Sequence, residues 1–143
     1  MTEFNIVGTE YRKSSPQTKV LFSDFLATLP LMDWRELLKI AETEVAATIA
    51  ELPEPVRKAL LDVPVLLEKH PSQQDFAEGI EPDTLGYFEE YPVARIRLWL
   101  QNIHSYAQDE SHPFPEEVRI TLLHEIGHLL GWDEQEVEDR GLG

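Results

Sequence analysis

The 143-residue chain contains no cysteine. Disulfides, thiolate metal ligands and a cysteine nucleophile are all excluded, so any metal ion must be held by histidine, carboxylate and water. The absence also suits a reducing compartment, and a cytoplasmic location is the expectation. Basic residues are few: 12 against 27 acidic ones, a formal net charge of −15. Such a field repels a phosphate backbone and an anionic membrane surface, so neither nucleic acid nor membrane is an expected partner. It favours a cationic peptide segment or a basic protein, and it also promotes solubility on its own. No apolar stretch approaches the length of a membrane span, and Arg12 and Lys13 are not followed by the apolar run of a signal peptide. Internal repeats and low-complexity tracts are missing too. What is present is ordinary for one globular domain over residues 1–143, with 42 % hydrophobic and 27 % charged residues.

Against this background one stretch carries chemistry. Residues Thr121 to Glu134 read TLLHEIGHLLGWDE, which contains His-Glu-x-x-His followed by x-x-Gly-x-x-Glu. On a helix, residues four apart lie one above the other, so His124 and His128 can offer imidazole nitrogens to one ion. Zinc suits such a pair, accepting nitrogen at about 2.0–2.1 Å in a tetrahedral shell. Glu125 lies about 100° around the helix from His124, beside the water of such an ion and not among its ligands. The pattern therefore reads as two ligands and a general base for metal-assisted hydrolysis. Val118, Leu122, Ile126 and Leu129 make the same helix strongly apolar, hence buried. Buried histidines and a buried glutamate cost several kcal/mol without partners, which a metal supplies. Gly127 stands where a side chain would crowd whatever packs over the helix. Gly131 follows where a left-handed residue closes a helix.

These residues resemble the minimal zincins, a family of small zincin-like bacterial zinc metallopeptidases. The similarity is carried by Thr84–Pro92, Ala94–Leu100 and, most specifically, Glu117–Glu134, and it spans roughly residues 33–142. It implies a compact α+β domain and peptidase chemistry.

The rest of the chain is consistent with α+β organisation. Residues 1–30 form an extension before the family-like core of 33–142. In it Phe4, Ile6 and Val7 suggest a short strand, Ser14–Pro16 a turn, and Lys19–Leu26 an apolar patch that covers the core or crosses the cleft as a flap. Asp33 and Glu36 form a capping box for a helix that Pro53 ends, and a second short helix starts at Pro55, with Val56, Ala59 and Leu60 inward. Strands are expected over 63–69, with Pro64 pushing this one toward a sheet edge or marking its start, and over 84–89 and 94–100. In the last, Ala94, Ile96, Leu98 and Leu100 alternate with Arg95, Arg97 and Trp99. Residues 70–83 read as loop, and 101–114 as the connection into the metal helix. About three strands packed against four helices, the HExxH helix among them, indicate α+β.

A catalytic zinc site normally has three protein ligands and a water. Glu134 stands three residues after Gly131, the spacing at which metzincins place a third histidine, and is the expected third ligand. Asp133 has a capping role instead, and Glu138 reaches the site only if the last helix folds over it. Methionine occurs only at positions 1 and 32, so the Met-turn of metzincins is absent. His104 and His112 are candidates to polarise a substrate carbonyl or stabilise the oxyanion, but for them, as for Tyr106, a surface or capping role is the simplest reading. The expectation is thus zinc held by His124, His128 and Glu134, with Glu125 as general base, acting on a peptide or protein substrate. The alternatives are a binding module that recognises a partner on this scaffold without turnover, and a purely structural zinc.

Overall fold

The computed structural model describes the backbone of residues 8–11 and residues 32–139. The first helix, α1 (Trp34–Ala50), begins where its sequence says it should. Asp33 accepts a hydrogen bond from the Arg35 N–H at 3.1 Å, and Glu36 accepts one from the Asp33 N–H at 3.3 Å. Both satisfy donors that a helix start leaves without intrahelical partners. Leu37, Ala41 and Thr48 face the core at helical spacing. After Pro53 comes α2 (Glu54–Ala59). Val56 and Leu60 turn inward as expected, but Ala59 is exposed, because α2 ends there and only a narrow stripe reaches the core.

Four strands form one sheet: β1 (Gly8–Tyr11), β2 (Val65–Glu68), β3 (Gly86–Glu89) and β4 (Arg95–Trp99), in the order β1-β3-β4-β2. β1 and β4 each pair antiparallel with β3, whereas β2 runs parallel to β4. β2 is an edge strand, in keeping with Pro64 just before it. The sheet is one strand wider than the roughly three expected, because the N-terminal extension supplies β1. The strand suggested by Phe4, Ile6 and Val7, the turn at Ser14–Pro16 and the apolar patch Lys19–Leu26 lie outside the described residues.

Two stretches read as irregular are helical. Within 70–83 lies α3 (Gln73–Ala77), started by a capping box between Ser72 and Asp75. One turn of helix has almost no periodicity to show in sequence, and its reason for forming is tertiary: Asp75 is a buried partner of Arg97. Within 101–114 lies α4 (Leu100–Glu110), of which Leu100, Ile103 and Ala107 are buried and Tyr106 packs partly buried against the core. It follows β4 with no break, so Leu100 belongs to the helix and not to the strand. The HExxH helix, α5 (Phe114–Leu129), and a short α6 (Glu134–Asp139) complete the chain.

The core lies between α1, α4 and α5 and one face of the sheet, with α5 packed against β1, β3 and β4. Ile96 and Leu98 of β4 are fully buried there with Val118 and Leu122 of α5. Each such side chain contributes about 1.5–3 kcal/mol of burial. The opposite face of β4 is also covered. Trp99 is wholly buried, its indole N–H donates to Glu68 at 3.1 Å, and the Arg97 guanidinium lies 4.9 Å from its ring centre. No helix among the described residues is long and apolar enough to cross a membrane.

Candidate metal centre

Within α5 the apolar side chains Val118, Leu122 and Ile126 are buried, and so are Thr121, His124, Glu125 and His128. The helix is therefore enclosed on most sides, and its polar residues must meet their needs inside the protein. Pro113 precedes it and Glu116 and Glu117 occupy its first turn, where acids complement the positive end of the helix dipole. Glu117 does more than that. It is fully buried, and His112 Nδ1 lies 2.6 Å from its Oε2. Glu117, the partner of His112, stands about two turns, roughly 10 Å along the axis, before His124. His104 packs edge-on against Phe114 at 5.7 Å, and burial pushes its pKa down. Neither histidine joins the cluster around His124.

The end of α5 brings the candidate ligands together. Gly131 adopts φ +89°, the left-handed conformation that favours glycine. Its N–H bonds the His128 carbonyl at 2.9 Å, and the Trp132 N–H bonds the Gly127 carbonyl at 3.0 Å. This pair of bonds is a Schellman motif, which reverses the chain within two residues. Asp133 then caps α6, accepting from the Glu136 N–H at 2.9 Å. Glu134, the first residue of α6, is returned over the last turns of α5. Its Oε1 lies 2.8 Å from His128 Nε2 and 3.2 Å from His124 Nε2, and the two Nε2 atoms are 3.2 Å apart. One ligand atom from each of the three residues lies within 4.8 Å of the others. The side chain of Glu138 lies outside the described residues.

The protonation of His128 follows from its other nitrogen. Nδ1 is 2.8 Å from the Trp132 carbonyl oxygen. A carbonyl only accepts, so Nδ1–H is the donor, and in the neutral ring Nε2 carries the lone pair. That lone pair faces a carboxylate oxygen and a second imidazole nitrogen, an arrangement that calls for a cation among them. Two ligand atoms on a tetrahedral ion with bonds of 2.0–2.1 Å stand about 3.3 Å apart. The two separations of 3.2 Å match this, the third, 2.8 Å, is shorter, and the set of two imidazoles and one carboxylate fits a metal ion. Partial burial raises the Glu134 pKa, but hydrogen bonds from His124 and His128, together with their charge when the rings are protonated, outweigh it and hold the carboxylate at about 2 in the metal-free protein. It is ionised, as a ligand must be. Glu134 remains 60 % exposed, so the cluster opens to solvent on its side.

A family model for zincin-like metallopeptidases matches residues 60–142, which include every residue of the cluster. The chain belongs to the zincin-like metallopeptidase family. It is also 35 % identical over 54 residues to the endoribonuclease YbeY of Caldanaerobacter subterraneus subsp. tengcongensis, a match covering 38 % of this chain and 34 % of that protein. The chain spans about a third of the length of that relative. The zincin-like domain is a metal-dependent, hydrolase-like scaffold, and α1 stands before the part that the family model matches.

Sequence reasoning brought His124, His128 and Glu134 to one place, and the structure has them there. It missed the Trp132 carbonyl that orients His128. A backbone acceptor leaves no mark on residue type; the only signal is Gly131, whose turn brings it into reach. It also missed the pairing of His112 with Glu117, since two polar residues five apart across a helix start look like a solvated surface.

Proposed function

We propose that this chain is a zinc-dependent hydrolase of peptide bonds, with His124, His128 and Glu134 as zinc ligands and Glu125 as general base. The observation that carries the reading is the convergence of His124 Nε2, His128 Nε2 and Glu134 Oε1 on one point, with the Glu134 side chain exposed to solvent. Three protein ligands leave the fourth position of a catalytic zinc for water or substrate. A zinc ion held by these residues would supply a water of lowered pKa, toward about 7, and a Lewis acid for the scissile carbonyl. Glu125 takes the proton of the attacking water and delivers it to the leaving amine. The Trp132 carbonyl holds the His128 ring in one tautomer. A net charge of −15 favours a substrate segment carrying lysine or arginine.

The relative named as an endoribonuclease supports a second reading, in which the same centre cleaves a phosphodiester. Charge argues against it. Among the described residues, Arg95, Arg97 and Arg119 are each engaged by carboxylates rather than offered to a phosphate backbone. One assay separates the two: a mixed fluorogenic peptide library and labelled single-stranded RNA are each incubated with zinc-loaded wild type, His124→Ala and Glu125→Gln. The expected outcome is peptide cleavage by wild type, metal lost from His124→Ala, and metal retained by Glu125→Gln with turnover down about 10²–10⁴-fold. Equal turnover by Glu125→Gln and wild type would remove the general base. RNA cleavage without peptide cleavage would establish the second reading.

A further inference from the structure

We infer that Gly127 is a positioning residue for the metal centre: by lacking a side chain it lets α6 dock closely enough for Glu134 to reach both histidines. The inference rests on the proposed ligand set and extends it to a residue that touches no metal.

At about 100° per residue, His124 and His128 define a centreline on α5, with Gly127 about 80° to one side of it and Glu125 about 80° to the other. The two flanks have different neighbours. On the Gly127 flank the chain returns through the Schellman turn, and α6 lies against the helix. Glu134 and Val137 are three residues apart on α6 and so share a face. Glu134 meets the histidines, while Val137, fully buried, meets Gly127.

The fit at this contact is close. A Cβ on residue 127 would stand 2.9 Å from Val137 Cγ2 and 3.3 Å from Trp132 Cε3. The first distance is shorter than real Cβ contacts, so something must shift. Val137 has no free space, being 0 % exposed, and its branched side chain has restricted rotamers. Trp132 is tethered at both backbone groups: its N–H bonds the Gly127 carbonyl at 3.0 Å and its carbonyl accepts from His128 Nδ1 at 2.8 Å. The element that can yield is α6 itself, which carries Glu134 on the same face. Metal–ligand bonds tolerate only about ±0.2 Å, so a displacement that relieves the clash removes the carboxylate from bonding range.

The test is a size-compensation cycle read by metal binding. Zinc affinity is measured by competition with a chromophoric chelator for wild type, Gly127→Ala, Val137→Ala and the double variant, and cobalt(II) spectra report the ligand field of each. Melting curves of the metal-free proteins show whether each folds. Gly127→Ala is expected to weaken zinc about 10–100-fold, the range for groups that support ligands, and to change the cobalt spectrum. Val137→Ala removes the close atom from the other side and is expected to bind within a few-fold of wild type. The double variant is expected to regain most of the lost affinity, a recovery that a general loss of stability would not produce. Should Gly127→Ala fail to fold, Val137→Ile, one methylene larger at the same contact with Gly127 intact, is expected to weaken zinc in the same direction. Wild-type affinity in a folded Gly127→Ala protein, or no recovery in a folded double variant, overturns the inference. Absence of binding by wild type would instead overturn the ligand set, and this inference with it.

Discussion

Arg97 and Asp75 are nearly devoid of solvent, and two hydrogen bonds of 2.8 and 2.7 Å join them. Glu68 adds a further bond to the same guanidinium at 2.9 Å. Burial alone would raise the Asp75 pKa; hydrogen bonds from Arg97 and from the Ser72 N–H and hydroxyl outweigh it and hold the carboxyl below its ordinary 3.8. A depressed folded-state pKa contributes stability above the unfolded value, and that contribution is lost as pH falls through the folded one. Asp75→Asn removes one charge of a buried pair and is expected to cost roughly 3 kcal/mol at pH 7. The gap between wild type and variant should close progressively below pH 3.8. Urea denaturation of both proteins at pH 7 and pH 3 checks this, and a gap that stays constant would mean that Asp75 acts through shape and not charge.

At the scale of elements, the site depends on how α5 stops. The helix could run on past Leu130 as far as its apolar composition is concerned, and Glu134 would then lie beyond the histidines along the same axis. Gly131 prevents this by taking a conformation that costs other L-residues about 1–2 kcal/mol. A Cβ there meets nothing within 4 Å, so Gly131→Ala isolates the backbone term. The variant is expected to lose about 1 kcal/mol of stability and to bind metal more weakly, because the turn that delivers Glu134 is strained. Thermal melts with and without zinc measure both effects. An unchanged metal-induced rise in Tm would show that the turn keeps its geometry with alanine. That the turn falls at Gly131 was legible, since glycine two residues past the last helical position is a recurrent stop. That α4 exists was not, because four apolar residues among polar ones give a stripe too narrow to separate from loop.

For the whole molecule, the question is whether metal holds the fold or only the site. The buried cluster built from Leu37, Ile96, Leu98, Ile103, Val118 and Leu122 spans α1, β4, α4 and α5 and includes none of the proposed ligands. Its burial does not depend on Glu134. Chelation is therefore expected to leave the helical circular dichroism signal intact and to lower Tm by roughly 5–15 °C, the consequence of removing a ligand that binds only the folded state. Collapse of the signal on chelation would make the metal a structural staple. Retained fold with lost turnover is the outcome that a catalytic centre requires.

The sequence by itself determined the elements whose causes are local. Capping at Asp33, the edge position of β2 after Pro64, alternation in β4 and the i, i+4 histidines of α5 are each written in residue type and spacing, because short-range sterics and hydrogen bonding set them. Glu134 was legible as a candidate through its distance from Gly131. Only the tertiary structure decided what depends on groups far apart in the chain. It placed Glu134 beside the two histidines and turned its neighbour Asp133 to capping. It made α3 a helix through a charge 22 residues away, added β1 to the sheet, and set α6 against Gly127. Each of these outcomes is a packing decision, and packing depends on which surfaces meet, a property no single stretch of sequence contains.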